Sequence, residues 1–400
     1  MCITCMCAID AVQHPILHWL EAGQPCSARW RSERGAAPPK KVVLADDTMT
    51  ADAAYRLACE GTALLWRGDF QNARQLLQAL ARRIDKPRKA PKAPVSKDFH
   101  LHRQAQSQRA RVLGMVLLQF DADYGLPLRR SPDARLACAE AWGGAQAGAG
   151  SSVASLRELL GLISAHEWRK KGVEVPALGR APNNRIHPHY GVFSPVRGEY
   201  VALVAKAPLP PAPPRGLTAF DIGTGTGVLA AVLARRGVTR IVATDQDPRA
   251  LACALENLKR LGVGGQADSP VELLQVDLFP PGLAGLIVCN PPWLPARPSS
   301  PVEHAVYDEG SAMLLGFLQG LAAHLEPAGE GWLILSDLAE HLGLRGRDFL
   351  LAAIEDAGLR VVGRLDTVPV HGKARDSTDP LHAARSAEIT SLWRLVVRED

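Results

Sequence analysis

The residues best suited to chemistry lie in four short stretches, each closing an apolar run. The run that ends at Asp221 is followed by Gly223, Thr224, Gly225 and Gly227, and then by a helical pattern. Glycines in that register let the backbone turn tightly and let a ligand approach without Cβ atoms in the way. The N–H groups at the start of the helix are left free to face that ligand. Several cofactor classes share such a loop, but nicotinamide dinucleotide sites use G-x-G-x-x-G, whereas the spacing here is Gly-x-Gly-x-Gly. Asp245 closes the next run, 18 residues beyond Gly227, where a carboxylate can accept hydrogen bonds from both hydroxyls of a ribose. Asp247, immediately before Pro248, is the better helix cap, which leaves Asp245 and its neighbour Gln246 for the ligand. Asp277, with Leu278 beside it, ends the third run at a place suited to an adenine amino group.

The fourth stretch is the most specific: Leu-Ile-Val-Cys is followed directly by Asn290, Pro291, Pro292 and Trp293. A strand ending this way sets a rigid loop at the carboxyl edge of a sheet, where open α/β folds bind ligands. The chemistry that needs such a loop is attack by a conjugated NH2 nitrogen, whose lone pair is delocalised and poorly nucleophilic. The Asn290 side-chain oxygen and a backbone carbonyl, that of Pro291, are placed to accept its two N–H bonds and expose the lone pair. Trp293 offers a face for stacking on a planar acceptor, and the prolines hold the acceptors in place.

In this order the four motifs resemble class I S-adenosylmethionine (SAM)-dependent methyltransferases, and Asn-Pro-Pro-aromatic resembles their amino-methylating branch. That branch includes base methyltransferases acting on DNA or RNA, and glutamine methyltransferases acting on release factors and ribosomal proteins. The resemblance implies SAM as cofactor, with Asp221, Gly223, Gly225 and Gly227 around its methionine part, Asp245 at the ribose and Asp277 at the adenine. The stretch Tyr-Gly-Val-Phe-Ser-Pro195-Val-Arg-Gly-Glu199-Tyr-Val-Ala-Leu-Val-Ala resembles the segment that precedes the SAM fold and covers the cofactor in these proteins, which implies Pro195 and Glu199 near the cofactor. Trp293 departs from the commoner Tyr or Phe. The resemblance covers about half the chain, and residues 1–185 match no family by motif.

The elements needed to position these residues are legible from 217 onward. Strands are expected at 217–221, 239–244, 271–276, 284–289 and 331–336, with helices at 226–236, 248–261 and 311–325. A helix at 346–358 and strands at 360–367 and 388–397 follow. Apolar strands separated by amphipathic helices give a doubly wound, mostly parallel, seven-stranded Rossmann-like α/β sheet with an antiparallel edge pair. Ahead of it the pattern predicts a mainly helical N-terminal region. Residues 1–48 read as an unstructured leader and 49–140 as a helical domain broken at Gly68-Asp69. Residues 141–216 read as linker, short helix and cofactor-covering segment, ending in Pro-rich 208–216 before the methyltransferase domain at 217–400.

Composition divides the chain electrically. Residues 1–216 carry 30 Lys+Arg against 18 Asp+Glu, and residues 217–400 carry 16 against 23. The basic half favours a nucleic-acid partner, RNA first, for an exocyclic base amine. A protein glutamine is the alternative acceptor, and a non-catalytic RNA-binding protein with a retained SAM fold is the alternative of another class. Cys2, Cys5, Cys7 and Cys26 fit no metal template, so no metal is expected. The apolar stretch at 311–325 contains Gln319 and His324 and reads as an amphipathic helix, so no membrane span and a cytoplasmic location are expected. His371, Lys373 and Arg375 lie in a loop that is a candidate to close over the acceptor.

Overall fold

The computed structural model describes residues 15–85, 95–145, 148, 150–266, 268–298, 303, 305–369 and 379–399. Cys2, Cys5, Cys7 and the loop with His371, Lys373 and Arg375 lie outside the described residues. The chain divides into two compact units. One comprises residues up to 89 with Gln106–Ile163, the other Ala90–Ala105 with Ser164–Asp400.

The first unit is built on β1 (Ile16–Glu21), β2 (Gln24–Trp30), β3 (Lys41–Ala45), α1 (Ala51–Cys59), β4 (Thr62–Trp66), α2 (Phe70–Ile84), the end of α3 (Val95–Leu113), β5 (Val116–Phe120), α4 (Arg135–Trp142), β6 (Ser152–Ser155) and the start of α5 (Leu156–Lys171). Its six strands run in the order β1-β2-β6-β5-β4-β3. This corrects two expectations: the N-terminal region is a mixed α/β sheet, not mainly helical, and residues 16–45 contain three of its strands and are not an unstructured leader. The cause lies in two short runs. Thr62–Trp66 is buried at every position, and Val116–Phe120 at all but Gln119. A fully buried strand has no period-2 signature to separate it from a helix. The strand breaks fall at Gly61, which has a positive φ of 83°, and near Gly114. The helices on either side of β4 are capped by Thr50 and Asp69.

The second unit continues with β7 (Val173–Glu174) and β8 (Arg185–Ile186), an antiparallel pair, then α6 (Glu199–Lys206), β9 (Thr218–Ile222), α7 (Val228–Arg235), β10 (Arg240–Asp245), α8 (Pro248–Arg260), β11 (Val271–Gln275), β12 (Ala284–Cys289), α9 (Ala312–His324), β13 (Leu325–Ser336), α10 (Leu338–His341), α11 (Phe349–Asp356), β14 (Leu359–Thr367), α12 (His382–Ala387) and β15 (Thr390–Val397). The seven-stranded sheet has the order β11-β10-β9-β12-β13-β15-β14. The first five strands are mutually parallel. β15 runs antiparallel between β13 and β14.

Both faces are covered, which is why the central strands read as continuous apolar runs. Along β12, Leu286 and Val288 pack with α6 and α7 residues such as Val201 and Leu229. Ile287 and Cys289 pack on the other face with Leu314, Phe317 and Leu321 of α9. Each such fully buried aliphatic side chain stabilises by about 1.5–3 kcal/mol. From β9 the chain winds to one side through β10 and β11, and then returns to start β12 on the other. The order therefore reverses between β9 and β12, and a crevice opens at their carboxyl ends. Register levels these ends: Cys289 pairs Ile222, and Thr244 pairs Ile222 from the other side. Residues 223, 245 and 290 thus leave the sheet along one rim. Among the described residues, no helix is long and apolar enough to cross a membrane.

Candidate active site

A cavity of about 640 Å³ sits on that rim, within the range of small-molecule sites. Of the residues singled out in the sequence, Gly223, Thr224, Gly225, Asp245, Gln246, Asp277, Leu278, Asn290 and Pro292 line it. Asp221, Gly227, Pro291 and Trp293 are not among the lining residues.

The glycine loop is left-handed at three points: φ is 71° at Gly223, 55° at Gly225 and 79° at Gly227. A Cβ on Gly225 would meet nothing within 4 Å, so this is where the backbone faces open space. A Cβ on Gly227 would come within 3.2 Å of the Ala254 Cα on α8. Gly227→Ala therefore combines a left-handed alanine with a crowded helix contact. An expected loss of about 2 kcal/mol is read as a lower denaturation midpoint with an unchanged slope. A midpoint equal to wild type would remove the packing role.

Asp221 is 1% exposed. One of its oxygens accepts the Thr224 hydroxyl at 2.7 Å and the Ala230 N–H at 3.1 Å. It ties the loop to the first turn of α7 rather than facing the cavity. Burial pushes its carboxyl up to about 6, against the two hydrogen bonds. A folded value above the ordinary 3.8 means that its stability contribution is full below that value and is lost as pH rises through about 6. Asp221→Asn keeps an acceptor oxygen and removes the titration. The wild-type midpoint should fall relative to the variant between pH 4 and 6, by at most about 1.4 kcal/mol per pH unit. A wild-type-to-variant difference that is constant from pH 4 to 7 would place that proton elsewhere.

Asp245 is the cavity's built carboxylate. It accepts the Gly225 N–H at 3.0 Å and the Asp247 N–H at 3.0 Å. Burial raises its pKa, with these backbone donors opposing. Asp247 accepts the Arg249 N–H at 2.8 Å and caps α8, which is the division of labour read from the sequence. Leu278 has φ 59°, and its carbonyl accepts the Thr244 hydroxyl at 2.7 Å, fixing the wall beside Asp277. Asp308 also lines the cavity and caps α9 through the Met313 and Leu314 N–H groups.

The wall is therefore acidic, with Asp245, Asp247, Asp277 and Asp308 set against Arg249 alone. That suits a vicinal diol and a cationic ligand, and it does not suit a pyrophosphate. SAM, with its ribose diol, sulfonium and ammonium, fits this set of groups.

The sequence did not single out Met313, which also lines the cavity. The covering segment contributes Gly191, Val192, Phe193 and Tyr200, not Pro195 or Glu199. Its one readable signal was an aromatic at the buried spacing of α6, where Tyr200 sits beside Val201, Leu203 and Val204.

At the acceptor end, Asn290 faces the cavity. Its side-chain oxygen accepts the Trp293 indole N–H at 3.0 Å. The Trp293 ring is half-buried, packs against the cores on both sides of the sheet, and lies under the Arg197 guanidinium at 5.0 Å. It is thus not a free face for stacking. Among the described residues, no group of His, Cys, Asp and Glu could hold a metal ion.

Residues 183–340 match the family model of the methyltransferase small domain. The chain is 44% identical over 77 residues to the ribosomal protein L11 methyltransferase of Pelotomaculum thermopropionicum, covering 19% of this chain and 24% of that protein. It is 32% identical over 182 residues to the release factor glutamine methyltransferase of Cereibacter sphaeroides, covering 42% and 59%. The chain thus spans less than two thirds of the length of either relative. Among solved structures, a methyltransferase from Pyrococcus furiosus superposes with a TM-score of 0.37 at 19% identity, covering 58% of this chain and 96% of that one.

Proposed function

We infer that this chain is a SAM-dependent N-methyltransferase carrying a methyltransferase small domain, and we propose that it methylates the side-chain amide of a glutamine in a translation factor or ribosomal protein, in the cytoplasm. The observation that carries this reading is Asn290, whose amide stands on the cavity wall at the carboxyl end of β12, beside the acid-lined cofactor pocket. Bound there, SAM supplies an electrophilic methyl group. The Asn290 oxygen has two lone pairs. One holds the Trp293 N–H, and the other is left to accept an N–H of the acceptor amide. With the Pro291 carbonyl accepting the second N–H, the nitrogen lone pair is exposed toward the methyl. SAM held by Asp245 and Asp277 would supply the electrophilic methyl carbon for that lone pair, and the acceptor nitrogen would give its proton to water.

Two observations favour a glutamine over an RNA base. The relative matched over 182 residues, against 77 for the ribosomal protein L11 methyltransferase, is named a release factor glutamine methyltransferase. The Trp293 ring is engaged by Arg197 and by the core, so it is not free to serve as the stacking platform that an extruded base requires. The basic excess of residues 1–216 is the one feature that still favours RNA.

The test is transfer of labelled methyl from SAM into protein, RNA and DNA fractions from a strain lacking this gene. Label in a single protein band, mapped to glutamine, is expected. Label in RNA would replace this reading with a base methyltransferase. No label in any fraction while SAM still binds would favour a non-catalytic protein with a retained fold.

A further inference from the structure

Glu388 is an unusual residue to find beside this loop. It lies between α12 and β15 and is 1% exposed. A buried carboxylate costs several kcal/mol unless it is paired and hydrogen-bonded. One of its oxygens takes the Ser336 hydroxyl at 2.6 Å and the Arg197 guanidinium at 2.8 Å. Its other oxygen has no partner among the described residues. Ser336, itself 1% exposed, is held by the Leu338 N–H at 3.0 Å. The carboxylate is therefore fixed to the end of β13, and its charge is answered by Arg197. Arg197 in turn lies over the Trp293 ring, and the Trp293 N–H reaches the Asn290 oxygen.

We propose that Glu388, Arg197 and Trp293 form a positioning chain that sets which end of the Asn290 amide is oxygen. An asparagine amide is nearly symmetric in shape, so packing alone does not choose between its two orientations. An indole N–H only donates, so it selects the orientation in which oxygen faces Trp293. With the amide flipped, an NH2 would face the acceptor NH2, and donor would meet donor. Phe has no N–H, and Tyr carries its donor at the ring's far end, so neither makes this contact. Trp293 needs its own ring held at one tilt, and the Arg197 guanidinium, anchored by Glu388, supplies that hold through a cation–π contact. Three segments distant in sequence (the covering segment, the loop after β12 and the approach to β15) thus converge on one amide.

This rests on the N-methyltransferase reading, so one arm of the test is independent of activity. The full chain has eight tryptophans, and the Trp293 indole N–H is identified in a ¹⁵N spectrum by its loss in Trp293→Phe. In Glu388→Gln and Arg197→Lys that single resonance should shift and exchange with solvent about tenfold faster, with the other seven unmoved. The second arm is kinetic. Trp293→Phe should lower kcat by about tenfold, as misplacement of a catalytic group does, with SAM affinity within about twofold of wild type. Glu388→Gln added to Trp293→Phe should cost nothing further, because both act through the same indole. A Trp293 resonance unchanged in both Glu388→Gln and Arg197→Lys, or kcat losses that multiply in the double variant, would overturn the chain. If no acceptor is methylated, the enzyme reading fails while the resonance arm still decides the chain.

Discussion

Asn290→Ala is expected to lower kcat by about 10²–10³-fold, the usual cost of removing one preorganised hydrogen-bonding group at a reacting centre, while SAM affinity stays near wild type. The separation follows from position. The ligand-facing carboxylates at the cofactor end are Asp245 and Asp277, and Asn290 leaves the sheet at the end of β12, on the far side of β9 from both. The variant also leaves the half-buried Trp293 N–H without its acceptor, a loss of about 1–3 kcal/mol in stability. Activity is therefore compared well below the variant's melting temperature, and SAM binding is measured by calorimetry on the same preparation. Full activity at full SAM affinity would remove Asn290 from the chemistry. Loss of both together would mean that the substitution had collapsed the rim, and Asn290→Ser, which keeps a smaller acceptor, separates that outcome.

Asp245→Ala should weaken SAM binding by about 100-fold or more, about 2.7 kcal/mol. Two losses combine. The carboxylate that would take the ribose hydroxyls disappears, and the Gly225 and Asp247 N–H groups lose their common acceptor, so the loop is no longer held in its binding shape. Asp245→Asn retains one oxygen and should fall between the two. The same residue gives a pH signature. Burial raises its pKa, and the cofactor's diol and cationic groups favour the ionised form. Wild-type affinity should therefore weaken as pH falls through the acid range, and the Asp245→Asn affinity should be flatter. Calorimetric titrations at several pH values decide it. An Asp245→Ala affinity equal to wild type would mean that the ribose lies elsewhere.

The acid end of the cavity was legible because its determinants are local. Asp245 is the last residue of β10 and Asp277 lies two residues past β11, and the choice between Asp245 and Asp247 follows from which one precedes a helix-starting proline. The acceptor half was readable only as far as Asn290. What Trp293 does depends on Arg197, about a hundred residues earlier, and on Glu388, about a hundred later, and no local pattern announces either contact. Met313 is another such case. It meets the glycine loop at Gly223, where a Cβ would come within 2.5 Å of its methyl, from a helix that read as amphipathic with no sign of which residue faces the loop. In the first unit the error had a different cause. Thr62–Trp66 is all core, so its helix-like flanks decided the reading. β1 did carry a legible alternation, with buried Leu17 and Trp19 between exposed neighbours, but it is six residues long and set in an otherwise polar stretch.

The place of β15 has a consequence for how the molecule is made. This strand is the last of the seven to leave the ribosome, yet it lies inside the sheet, hydrogen-bonded on both sides. Until it emerges, the growing chain presents β13 and β14 as two separated edges with open pairing capacity, the kind of surface that recruits the wrong strand. Glu388, which precedes β15 by two residues, arrives at the same moment. The seven-stranded sheet, and with it the contact between Glu388 and Arg197, therefore closes only once β15 has emerged.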